Sequence, residues 1–110
     1  MLNRCAVIVK AKQPFREWLR SLPDPVEPTL KELYADTTVY LLPEYTFEDD
    51  QEEILAHYVD LIFEEELYRW WTSETEWPPD RGLDTFKQWF DFEFQSMILD
   101  LVDGPLTDEE

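Results

Sequence analysis

The chain has 110 residues, 44% hydrophobic and 15% aromatic, which is enough material for one packed core and too apolar for intrinsic disorder. Nine lysines and arginines stand against 26 aspartates and glutamates, a net charge of −17. A surface so acidic repels nucleic acid and anionic membranes, which excludes direct binding to either.

Cys5 is the only cysteine, so no intramolecular disulfide can form within these residues. It sits in an apolar run, Cys5-Ala6-Val7-Ile8-Val9, where a buried inert thiol is expected rather than a nucleophile. That run is too short and too early for a signal peptide. No stretch approaches the roughly 20 apolar residues of a membrane span, so a reducing cytoplasm is the expected location.

Residues 3–11 read as a strand with apolar residues on both faces, as expected of a strand inside a sheet or beneath helices. Next, Pro14 suits a first helical turn, and Phe15, Trp18, Leu19 and Leu22 follow the i, i+3, i+4, i+7 spacing of one buried helix face. Pro23, Pro25 and Pro28 make 23–35 a loop, with room for one helical turn from Thr29 to Tyr34. Residues 37–42, dense in β-branched and aromatic residues and stopped by Pro43, read as a second strand.

A long helix is expected over 49–71, its first turn rich in carboxylates that suit the helix dipole. Ile54, Leu55, Tyr58, Leu61 and Ile62 form one apolar face, while Phe63, Leu67 and Trp70 form another on nearly the opposite side. Such a helix is expected between two layers or in a dimer interface. A polar connector follows, ending in Trp77-Pro78-Pro79-Asp80, with Asp80 as the expected N-cap of the next helix.

The segment 81–102 carries two periods. Phe90, Phe92 and Phe94 alternate with polar residues, but Leu83, Phe86, Phe90, Phe94, Met97, Ile98 and Leu101 share one helical face, and Gly104-Pro105 supplies a stop. The longer pattern predicts a helix. The expected fold is therefore α+β, a small sheet with three helices in the order strand-helix-strand-helix-helix, as a single domain over 1–105 with a frayed acidic tail at 106–110. Two strands make a meagre sheet, so a third strand within 23–35 or the joining of two subunits is expected to complete it.

Catalytic signals are sparse. His57 is the single histidine, no nucleophile-elbow motif surrounds Ser21 or Ser96, and the lone thiol lies in a strand. The cluster Glu48, Asp49, Asp50, Glu52 and Glu53 offers hard oxygen ligands, but it lacks EF-hand spacing and the central glycine, so no metal and no cofactor are assigned. These acids are read as a solvated helix start and as a binding surface. The adjacent pair Trp70-Trp71 joins them, because two neighbouring indoles cannot face one way and large aromatics near a surface mark interfaces. Glu65 and Glu93 are placed on apolar helix faces, where a carboxylate either pairs with a cation or has a raised pKa. Arg69 lies four residues beyond Glu65; Arg81 and Lys87 are within reach of Glu93.

Several of these residues carry a resemblance. Pro43-Glu44-Tyr45, then Phe63, Glu64, Glu66, Leu67 and Trp70, then Trp77-Pro78 with Arg81, and finally Phe86, Trp89-Phe90, Glu93, Ser96 and Asp100-Leu101 resemble an uncharacterised family of short, acidic bacterial proteins. The resemblance implies a bacterial cytoplasmic origin and supplies no activity. Similar sequences are expected to carry a histidine just before the serine, where this chain has Gln95, and that departure weakens a catalytic reading of the turn.

Three functional expectations result. The first is a non-enzymatic interaction protein that presents an acidic surface to a basic protein partner, nucleic-acid mimicry being its special case. The second is a small enzyme or ligand-binding domain with a pocket lined by Glu65, Arg69 and Glu93. The third is a structural homodimer whose acidity serves only solubility.

Overall fold

The computed structural model describes residues 3–24, 29–35, 37–45 and 49–105. Along the chain run β1 (Arg4–Ala11), α1 (Gln13–Arg20), α2 (Leu30–Ala35), β2 (Thr38–Pro43), α3 (Asp50–Tyr68), a 3-10 turn at Glu74–Glu76, α4 (Leu83–Trp89) and β3 (Phe90–Gln95). The three strands form an antiparallel sheet in the order β2-β1-β3. The α+β class stands.

The expected order of elements needs correction. The segment 81–102 is not one helix: α4 ends at Trp89 and the chain turns directly into β3. The alternation of Phe90, Phe92 and Phe94 decides this. Antiparallel pairing sets them opposite Ala11, Val9 and Val7, so all three rings lie on the side of the sheet that the helices cover. A continuous helix would leave that edge of β1 unpaired, an arrangement the sheet hydrogen bonds outweigh. The third strand of the described sheet thus comes from 90–95; residues 25–28 of the expected 23–35 segment lie outside the described residues. The turn expected near Thr29 is α2, where Thr29 Oγ1 accepts the Glu32 N–H.

β1 is central because it pairs with β2 along one edge and β3 along the other. Only one of its faces is wholly apolar: Arg4 and Lys10 are exposed and Ile8 half-buried on the other. Cys5, Val7, Val9 and Ala11 are buried beneath the helices. α1 seals one end of the sheet with Phe15, Trp18 and Leu19, the face its spacing predicts. Phe63 from α3 is fully buried among Phe86, Trp89 and Phe90, with ring centroids 6.1, 5.6 and 5.3 Å away. Phe15 joins this cluster through Phe90 at 5.2 Å. Tilted and edge-on ring pairs of this kind add to simple area burial.

Two indoles tie the connector down. Trp18 Nε1 donates to the Glu76 carbonyl at 2.9 Å, and Trp77 Nε1 donates to the Trp71 carbonyl at 2.8 Å. Asp80 does not occupy the N-cap of α4; Gly82 does. Asp80 instead accepts from the Gly82 N–H and the Thr85 hydroxyl, and these bonds hold its carboxyl below the usual range. Residues 96–105 follow β3 without regular structure.

Candidate interaction surface

α3 carries four exposed acids, Glu52, Glu53, Asp60 and Glu65, and forms one wall of an open groove. Its 19 residues contain seven acids and neither lysine nor arginine. The buried side is a single broad arc of Leu55, Val59, Ile62, Phe63, Glu66 and Leu67. The two opposed faces expected from the sequence merge into this arc, and Leu61 is left 64% exposed.

Opposite the core, Glu53, His57, Asp60 and Glu64 follow the i, i+4, i+7, i+11 spacing and share one stripe of the helix. Glu53 and Asp60 are exposed; Glu64 is half-buried and lies 3.9 Å from Arg81. At the helix start, Asp49 and Glu52 are exposed, while Glu52 is drawn into an ion pair with Lys87 that lowers its carboxyl pKa. Glu48 lies outside the described residues. Trp70 and Trp71 are both half-buried and pack against the core, so neither is a projecting anchor. Among the described residues, Trp71 Nε1 is the buried side-chain polar atom without a hydrogen-bond partner.

The buried carboxylate is Glu66, one residue from the expected Glu65. It is 4% exposed and accepts from the Tyr40 hydroxyl and from Arg69. Arg69 also donates to Thr38 Oγ1, so the cluster joins the end of α3 to β2. Burial and the Glu66 charge push the Tyr40 phenol above its usual range. The ion pair expected of Glu65 with Arg69 is therefore made by Glu66, at i, i+3.

Glu65 is exposed and lines an open groove of about 940 Å³ between β2 and α3, together with Arg69. Tyr40 and Leu42 of one face of β2 and Leu41 of the other all line it, so the groove follows the free edge of that strand. Leu61 and Tyr58 form its α3 wall. Glu93 is elsewhere: it is exposed on β3, opposite Ile8, and accepts from Gln95 Nε2 at 3.1 Å. Its expected place on an apolar helix face is lost with the helix, as is an ion pair reached along that helix. The structure does not bring Glu65 and Glu93 into one pocket.

Burial raises the Cys5 thiol pKa, and Sγ donates to the Pro43 carbonyl at 3.3 Å. His57 is exposed with its ring 4.8 Å from Tyr58. Among the described residues, no group of three or more histidines, cysteines or acids could hold a metal ion. No described helix is long and apolar enough to cross a membrane.

No family model, curated protein or solved structure matches this chain.

Proposed function

We propose that this is a non-enzymatic interaction protein that presents the solvent face of α3 to a basic protein partner. The observation that carries this reading is the one-sign character of α3: seven acids, no lysine or arginine, and a single stripe holding Glu53, Asp60 and Glu64. Nearby cations are already engaged: Lys87 with Glu52, Arg81 with Glu64, and Arg69 with Glu66. The stripe therefore keeps an excess of negative charge, which would attract and orient a partner of opposite sign.

Magnitude limits how far the reading extends. At 1.5 Å per residue α3 is about 28 Å long, so its acids, even with buried Glu66 counted, amount to no more than about one charge per 4 Å. Duplex DNA carries one per about 1.7 Å. That density favours a lysine- or arginine-rich protein segment over a partner built to hold DNA.

The test is capture from bacterial lysate at low and moderate salt, comparing the wild type with the double substitution Glu53→Lys and Asp60→Lys. Both residues are exposed, so the fold should persist. Basic proteins should be recovered at low salt, less at moderate salt, and far less by the variant. Equal recovery by both proteins, or no basic protein at either salt, would end this reading.

A further inference from the structure

We propose that residues 97–102 of a second copy enter the β2–α3 groove and pair with the free edge of β2, so that two copies join by reciprocal strand exchange. The proposal concerns a surface other than the acidic stripe of α3 and does not depend on it.

The molecule carries both halves of this contact. β2 is an edge strand, paired only with β1 among the described residues. Its outer edge opens onto an apolar groove, and Val39 and Leu41 are 57% and 47% exposed. An exposed apolar edge of this kind is a template for another strand. The complementary piece follows β3. Residues 97–102 read Met-Ile-Leu-Asp-Leu-Val, without regular structure, and Met97, Leu99, Leu101 and Val102 are 60–91% exposed. Met97, Leu99 and Leu101 alternate, so an extended backbone would set them on one face. Thr38–Pro43 is likewise six residues long, and six extended residues span about 20 Å in either case.

Charge constrains where two copies can meet. Two molecules of net charge −17 repel, so they can meet only where charge is locally balanced. The groove is of mixed sign rather than uniformly acidic: Arg4 and Arg69 line it along with Glu44 and Glu65, and Arg69 also pairs with buried Glu66. Area also permits the contact. The exposed segment and the side chains at and beside the groove, with Leu61 and Tyr68 from α3, offer on the order of 900 Å² per copy. Complete closure of these surfaces in a reciprocal exchange would bury at most about 1,800 Å², against the roughly 1,200–2,000 Å² of stable interfaces.

Sedimentation of the full chain over a range of concentrations, at low and high salt, tests the proposal. A dimer is expected whose population rises with concentration and also with salt, because salt screens the overall repulsion. Binding to a basic partner has the opposite salt dependence, so the two readings fail separately. Leu99→Asp, in the segment, and Leu61→Arg, in the groove, should each weaken self-association at least about tenfold. Both sites are exposed, and unchanged thermal melts would show that the fold is intact. An equimolar mixture of the two variants should recover heterodimer through the one intact segment–groove pair. A monomer under every condition would overturn the proposal, as would a Leu99→Asp dimer of wild-type strength, which would mean that the grooves meet directly. Protection of residues 97–102 from hydrogen exchange in a monomer would overturn it too, by placing the segment in its own groove.

Discussion

The two edges of β1 meet different surroundings. On the β3 side, Phe15, Phe63, Phe86 and Phe90 interlock with little exposure, and the strand is flanked by α4. On the β2 side, the bond from Tyr40 to Glu66 and the pairing of Arg69 span the gap to α3, and an open groove runs beside them. One flank is held by shape and dispersion, the other by a few polar contacts. The difference separates the part of the molecule that maintains the fold from the part that remains accessible.

The sharpest way to break this contrast is Phe63→Ala. Phe63 is fully buried at the centre of the aromatic cluster, so its removal should cost about 3–5 kcal/mol in denaturant unfolding. A loss below about 1 kcal/mol would mean that the cluster is not the stabilising flank.

Tyr40→Phe probes the polar flank and should cost about 1–3 kcal/mol near neutral pH, because buried Glu66 loses a donor. Its pH signature is more specific. The phenol pKa is raised in the folded protein above its ordinary value of about 10, so the unfolded chain loses that proton first. The stabilisation is complete below pH about 10 and declines as pH rises beyond it. Wild type should therefore lose stability more steeply than Tyr40→Phe in alkaline titration, and parallel curves would refute the coupling.

The smallest effect belongs to Leu61→Ala, which in dilute solution should change stability by no more than about 0.5 kcal/mol. Leu61 is as apolar as its buried neighbours but mostly exposed in the groove wall. A loss of several kcal/mol would show that the groove is closed in the folded monomer.

What the sequence revealed depended on how local each signal was. β1 and α1 were legible because an apolar run and an i, i+3, i+4, i+7 face each specify an element without outside help. β3 was not, since three alternating phenylalanines compete with a longer helical pattern and only pairing with β1 decides between them. The same holds for the buried carboxylate. Centring α3 on Leu55, Tyr58 and Ile62 put Glu65 inward. The packed arc also includes Val59, Phe63 and Leu67, and its middle falls on Glu66. Averaging the two apolar faces, rather than opposing them, would have identified it. The groove had no sequence signature, because it is a space between distant elements rather than a property of either.

The central position of β1 has a consequence for how the chain acquires its structure. Ala11 pairs with Phe90 and Ala6 with Gln95, so α1 through α4 all intervene in sequence between strands that are adjacent in space. Loop-closure entropy must be met before those pairings offset it, which makes such long-range contacts slow to form. During synthesis, β1 emerges well before its β3 partner exists, and any chain ending ahead of Phe90 leaves Val7 and Val9 beside a bare strand edge. Truncated or stalled chains should therefore be the aggregation-prone species, and cooperative folding should wait until residues 90–95 have been made.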